Sequence, residues 1–260
     1  MNNKFLILTL CVLSNFCSAQ YKIAYDYIIS VESPGNTSTI KIDCDLLIDK
    51  NYSVFTKDRI YRGVAKTQYS DSMKSLEQKT QSENKFKPGD SIGYAIAKDF
   101  KNGLMNRRFL NSNNQYVKVE QKIKSFDYKI LDEFKDILGY KCQKATVIFE
   151  ERNYELWFTD KININDGPWV FCGLPGLILE VKTTGGKHQF VVTSMVKYDV
   201  NNKPNFDFPY TSISDFDSYK KDFIDSRVKK YKYNKSKIGD TNGKTSFTID
   251  NLDFPLIVVE

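Results

Sequence analysis

The run YKIAYDYIISV, Tyr21 to Val31, decides the fold class. Tyr21, Ile23, Tyr25, Tyr27, Ile29 and Val31 occupy every second position, opposite Lys22, Asp26 and Ser30. Successive side chains of an extended chain point to opposite faces, so this alternation marks a strand with one buried face. A turn at Pro34-Gly35-Asn36 follows. Ile40, Ile42, Cys44, Leu46 and Ile48 then alternate with Lys41, Asp43 and Asp45, which makes a long antiparallel hairpin. Cys44 belongs to its apolar face as a small core residue.

The same period recurs outward from this hairpin. Val54 and Phe55 suggest a short strand, and further strands are predicted at 92–98, 104–110 and 115–123, with turns at Asn102-Gly103 and Asn111 to Asn114. Ser70 to Lys87 is polar and aperiodic, and reads as a loop or weak helix. Tyr140 to Glu150 and Tyr154 to Thr159 form a hairpin with its turn around Glu151-Arg152. Ala145, Val147 and Phe149 then share a face with Tyr154, Leu156 and Phe158, while Cys142, Lys144, Thr146 and Trp157 take the other. Gly185-Gly186 suits a two-residue hairpin turn, pairing Thr183 with His188, Val181 with Phe190 and Leu179 with Val192. One helix is predicted, capped by Ser214 with Asp215 and Asp217 in its first turn, and carrying a stripe of Phe216, Tyr219, Phe223, Val228 and Tyr231. The expected fold is mainly β: a single large curved antiparallel sheet with one C-terminal helix. That order resembles the half-barrel of lipoprotein-carrier proteins, an analogy of fold and not of function.

The first nineteen residues have the layout of a secretory signal: Lys4, the apolar run Phe5 to Leu13 broken by Thr9, and small residues at Ser18-Ala19. Cleavage after Ala19 is expected, so that residues 1–19 are a leader and 20–260 one β-rich domain in the periplasm or outside the cell. The apolar run is shorter than the roughly 20 residues a membrane helix needs. The formal charge of +6 is spread along the chain and densest at Arg227 to Lys237, which suits a solvated helix. Export argues against a nucleic-acid partner.

Beyond Cys11 and Cys17 in the leader, three cysteines remain. In an oxidising compartment, Cys142 and Cys172 are expected to form a disulfide, with Cα atoms about 4.4–6.8 Å apart, and Cys44 to stay free. With one histidine and no CxxC, neither a metal site nor a cofactor is expected.

One segment breaks the alternation: Asp166-Gly167-Pro168-Trp169-Val170-Phe171-Cys172-Gly173-Leu174-Pro175-Gly176-Leu177-Ile178-Leu179-Glu180. Pro175-Gly176 fits the centre of a type II turn, and Leu174, Leu177 and Ile178 are too apolar for a solvent loop. The segment is therefore expected to fold back on the sheet. Its hexapeptide Gly173 to Ile178, with Gly139 to Ala145 and Tyr154 to Asp160 upstream, resembles the GLPGLI family of exported proteins typical of Bacteroidetes. The resemblance covers about 138–196, and since the family has no established activity it implies no catalytic residues. Gly167, Pro168, Trp169, Cys172, Gly173, Leu174, Pro175, Gly176, Leu177 and Ile178 are the candidate ligand-binding or structural motif.

No GxSxG, HExxH or phosphate loop is present. A Cys172–His188 nucleophile pair and the carboxylate pairs Asp43/Asp45 and Glu150/Glu155 are weighed against a disulfide, a turn histidine and surface solvation, and the bland readings are preferred. The 16 tyrosines and 18 phenylalanines point instead to aromatic packing, or to a cavity lined by aromatic rings. The leading expectation is a non-catalytic module that carries an apolar small molecule or lipid. An interaction partner of an outer-membrane protein and an unrecognised hydrolase are the alternatives.

Overall fold

The computed structural model describes residues 20–33, 36–57, 93–111, 115–197, 210, 212–238, 247–249 and 257–259. The expected leader at 1–19, the turn at Pro34-Gly35, the Ser70 to Lys87 segment and the tip of the Asn111 to Asn114 turn lie outside them. The strands are β1 (Tyr21–Ser33), β2 (Asn36–Asp49), β3 (Tyr52–Lys57), β4 (Ala95–Asp99), β5 (Leu104–Leu110), β6 (Tyr116–Lys122) and β7 (Lys129–Ile137). They continue with β8 (Tyr140–Phe149), β9 (Arg152–Thr159), β10 (Leu177–Thr183), β11 (His188–Lys197) and β12 (Ser212–Ser214). Helix α1 (Phe216–Ile238) follows, then the short pair β13 (Phe247–Ile249) and β14 (Ile257–Val259).

Twelve strands form one sheet in the order β12-β6-β5-β4-β3-β2-β1-β11-β10-β9-β8-β7. Every neighbouring pair is antiparallel except β12 on β6, which is parallel, so the expected antiparallel sheet is mixed at one edge. The molecule is mainly β, and its described residues comprise one large open sheet, the short β13–β14 pair and a single C-terminal helix. In the first hairpin Tyr25 stands opposite Cys44 and Tyr27 opposite Ile42, so the two predicted apolar faces coincide. Across the sheet, Leu46 faces Phe55, Phe55 faces Ile96 and Ile96 faces Arg107. One face thus collects Ile23, Tyr25, Cys44, Leu46, Phe55 and Ile96, all buried.

Strand β7 was not legible in the sequence. Its run KILDEFKDI has no alternation because it is an edge strand with mostly exposed side chains, and its register against β8 slips between Ile130 and Phe134. Bulges and charges of this kind blunt an edge against further pairing. The β8–β9 turn sits at Glu150-Glu151, one residue earlier than expected, and both residues adopt positive φ. The faces of this hairpin are as predicted, with Ala145 opposite Leu156, Val147 opposite Tyr154 and Lys144 opposite Trp157.

The helix cap lies one residue later than predicted. Ser214 ends β12, and Asp215 is the cap: its carboxylate accepts the Ser218 amide at 2.8 Å and the Ser218 hydroxyl at 2.7 Å. An aspartate closes two donors at once where a serine closes one. Tyr219 stacks on Phe109 at 4.4 Å, fastening α1 over β5 and β6 with Val117 and Val119.

Curvature follows from two long-range contacts. Lys98 on β4 bonds the Asp166 carboxylate, and the Asp166 carbonyl accepts the Ile178 amide at the start of β10. Strands β4 and β10 stand five places apart in the sheet. At about 4.8 Å per strand, a flat sheet would separate them by about 24 Å, beyond the reach of one lysine. The sheet therefore curls around the segment between β9 and β10. Register slips at Ala24/Tyr25 and Ile178/Glu180 supply local bends.

Candidate functional site

The segment from Asp160 to Gly176 crosses the inner face, and the sequence motif lies within it. Lys98 holds it from the opposite wall. Its ammonium donates to Asp166 Oδ1 at 2.5 Å, to the Gly167 carbonyl at 2.9 Å and to the Phe171 carbonyl at 3.1 Å. All three ammonium donors are used. Both side chains are buried, and Asp166 Oδ1 also accepts the Gly167 amide at 2.8 Å. The pair is an interior clamp: neither charge is stable there alone.

Around the clamp the loop is packed by aromatic rings. Trp169 meets Phe149, Phe171, Tyr154 and Phe190 at centroid distances of 5.4, 5.4, 6.2 and 6.4 Å, and its indole N–H donates to Tyr94 at 3.1 Å. It does so with φ of 56°, a strained conformation for a bulky side chain. Such strain persists only where the surroundings over-determine it, and four aromatic neighbours do so here. Tyr25 donates to the Ile178 carbonyl at 2.7 Å, and burial together with the nearby Asp166 charge raises its pKa well above the usual tyrosine value.

Each residue of the motif has a definite place. Gly167 packs so closely on Ile178 that an added Cβ would stand 2.6 Å from the Ile178 Cβ. The Pro168 carbonyl accepts the Phe171 amide at 3.3 Å. Leu174, Leu177 and Ile178 are fully buried. Only Gly173 and Pro175 of the hexapeptide reach solvent. The turn at Pro175 is tighter than the expected type II form: the Gly176 amide bonds the Leu174 carbonyl at 2.8 Å, closing three residues instead of four. Gly176 has φ of 146°, and an added Cβ would collide with the Thr159 carbonyl. The hexapeptide thus seats the start of β10 against the end of β9, and most of it is an internal joint.

The expected disulfide is absent. Cys44, Cys142 and Cys172 are all free and buried. Strand parity explains it: Cys142 lies on the face of β8 that carries Lys144 and pairs with Lys135 on β7. The Cys172 segment packs on the opposite face, where Phe171 meets Phe149 and Tyr154. The sheet stands between the two thiols. Burial pushes Cys44 up to about 12 and the other two to about 11, so all three are protonated at neutral pH.

The weighed catalytic pairs are also placed. Cys172 lies by Asp166, Lys98 and Tyr128, and His188 is not among the groups that touch or charge it. The His188 ring is bonded to the Tyr27 hydroxyl at 2.9 Å, and its amide to Thr183 at 3.0 Å. Asp45 pairs with Lys22, Glu150 with Lys124 and Lys220, and Glu155 with Lys144 and Lys182. Lys98 and Asp166 were missed as a pair because 68 residues separate them. A lysine among buried alanines and isoleucine in β4 was the available signal.

The region expected to enclose an apolar ligand is filled by Trp169, Phe171, Phe149, Tyr154 and Phe190. Open space lies beside it. A half-open cavity of about 210 Å³ runs between the 123–128 connection and the Asn165 to Gly173 stretch. Phe100, Phe126, Tyr128 and Asn165 line it, with Cys172 among its walls. The Tyr128 hydroxyl donates to the Cys172 carbonyl at 3.0 Å, and burial raises its pKa. No group of three or more candidate metal ligands occurs among the described residues. Among them, no helix is long and apolar enough to cross a membrane.

Residues 66–220, more than half of the chain, match the family model described as N-glycanase peptide, N-terminal domain (PNGase F-II). The structure of PNGF-II in space group P21 is similar over 80% of this chain and 34% of that one, at 20% identity and a TM-score of 0.51. Its C2 form gives 19% identity, a TM-score of 0.51 and coverages of 80% and 33%. At these identities the likeness is one of fold, and the chain spans about a third of the solved chains' length. A lipoprotein-sorting protein domain from Vibrio parahaemolyticus covers 71% of this chain at 8% identity, but its TM-score of 0.28 is too low to carry an argument. No curated protein matches.

Proposed function

Because the chain belongs to the family of the N-glycanase peptide N-terminal domain, we propose that it is an exported, non-catalytic binding module that engages glycan-bearing proteins. One observation carries this reading. The interior is filled by the protein's own aromatic rings, while accessible aromatic and polar groups meet at the rim of a half-open cavity. An enclosed lipid needs an empty interior, whereas a surface ligand needs a rigid rim. The clamp of Lys98 on Asp166 supplies rigidity, because it holds both ends of the loop that forms one wall. Buried polar chemistry is used to position this loop, which suits recognition better than turnover.

The family name speaks of an N-glycanase, and this chain is proposed to act beside such an activity by holding the glycoprotein. The test is direct binding of the mature chain to a high-mannose glycoprotein, compared with the same protein after enzymatic removal of its glycans. Binding that disappears with the glycans is the expected result. Equal binding to both forms, or none to either, overturns the reading. Native mass spectrometry of protein purified from its source envelope checks the lipid alternative: a bound mass that extracts into organic solvent would restore the carrier function.

A further inference from the structure

We propose that the half-open cavity beside Cys172 is a seat for one pyranose ring, with Phe100 as its stacking platform and Asn165 as its polar reader. The inference rests on the glycan-binding reading and names the site. Three observations support it. Phe100 is 37% exposed at the end of β4 and takes part in no ring contact among the described residues, although Phe126 and Tyr128 beside it are packed into the aromatic core. An apolar ring face left open at a cavity mouth favours a ligand with an apolar face of its own, and the C–H face of a pyranose is such a surface. The Asn165 amide and the Ser125 hydroxyl line the same cavity, and neither side chain has a partner among the described residues. An amide presents a donor and an acceptor side by side, the arrangement that reads two adjacent hydroxyls. Lys124 and Tyr128 are already engaged, with Glu150 and with the Cys172 carbonyl, so they shape the seat.

Size limits the ligand. About 210 Å³ falls below the roughly 300 Å³ at which ordinary small-molecule sites begin. One sugar ring is seated, and the rest of a glycan extends into solvent. The walls are positioned from behind: the Asn165 carbonyl accepts the Gly173 amide at 2.9 Å, and the Phe100 amide bonds the Asn51 carbonyl at 2.8 Å.

The experiment is titration of the mature chain, labelled with 15N, with methyl α-D-mannopyranoside and separately with N-acetylglucosamine, followed by the glycoprotein binding assay on variants. The expected result is that one of the sugars shifts the Phe100, Ser125 and Asn165 amide signals, and that Phe100→Ala weakens glycoprotein binding by about two- to tenfold, the worth of one stacked ring. Asn165→Ala is expected to weaken it similarly, and Phe134→Ala, on the exposed edge strand, to leave it unchanged. Phe100 and Asn165 are exposed, so unchanged circular dichroism separates lost binding from lost folding. Glycan-dependent binding that survives both cavity variants overturns the seat but keeps the module. Loss of binding in Phe100→Ala that is equal for glycosylated and deglycosylated protein makes the cavity a seat for a protein side chain, which overturns the sugar assignment.

Discussion

Lys98 and Asp166 set the terms at the scale of single residues. A buried ion pair contributes little against a well-packed apolar pair, but removing one partner strands the other charge. Lys98→Met is therefore expected to destabilise the fold by about 3–5 kcal/mol. The double variant Lys98→Met/Asp166→Leu is expected to cost less than the sum of the two single changes, because no unpaired charge remains. Urea unfolding of the four proteins, arranged as a mutant cycle, checks this, and additive losses would remove the clamp. The cysteines give a second prediction. With pKa values pushed to about 12 and about 11 by burial, thiolate is scarce at pH 8. Native protein is expected to resist iodoacetamide, while denatured, unreduced protein prepared without residues 1–19 takes up label at all three sites. A single site labelled in denaturant would mean that the disulfide forms after all. Cys142 also shows the limit of reading residues singly: its own face was legible in the sequence, but that face excludes Cys172, against the pairing that strand faces and compartment chemistry suggested.

Among the elements, the clearest reading was the alternation in β1 and β2, and the hardest was β7. Alternation is visible only where one side of a strand is dry, and the edge strand β7 is wet on both. The joint at Gly176 belongs to this scale, because it fixes how β10 leaves β9. Gly176→Ala adds a clash with the Thr159 carbonyl to a backbone angle unfavourable to any side chain. It is expected to cost more stability than Gly173→Ala, where an added Cβ meets nothing within 4 Å and only φ is strained. Comparing the two melting temperatures tests the order. Asp215 offers a pH-dependent element. Hydrogen bonds from the Ser218 amide and hydroxyl lower its pKa from the ordinary 3.8. A depressed carboxylate stabilises above its unfolded value, and that contribution is lost as pH falls through the folded value. Asp215→Asn is thus expected to reduce stability near pH 7 more than near pH 2, read as the difference in Tm from the parent at each pH.

For the molecule as a whole, the order of strands predicts the order of stability. β1, β11, β10 and β9 carry paired neighbours on both sides and the core cluster on one face, whereas β7 and β12 close the sheet at its edges. Hydrogen exchange is expected to be slowest at β1, β9 and β10 amides and fastest at β7. Uniform protection across the sheet would contradict a core centred on the crossing segment. The same arrangement explains why the candidate site was only half visible in advance. The motif residues drew attention as glycines, prolines and buried aromatics in sequence, but Lys98 and Phe100, which complete the site, lie far along the chain from Asn165 and the motif.

By itself the sequence determined the strand period, the faces of the hairpins, the register at Gly185-Gly186 and the late helix, because each depends on neighbours a few residues apart. It also marked the Asp166 to Ile178 segment as folded inward, since its apolar and rigid residues could not rest in water. Only the tertiary structure decided that β4 faces β10, that Lys98 clamps the crossing segment, that Cys142 and Cys172 are kept apart by the sheet, and that Phe100 and Asn165 meet across one cavity. These depend on how a twelve-stranded sheet curls. Curl is the sum of small bends and long-range packing, and no local pattern of residues records it.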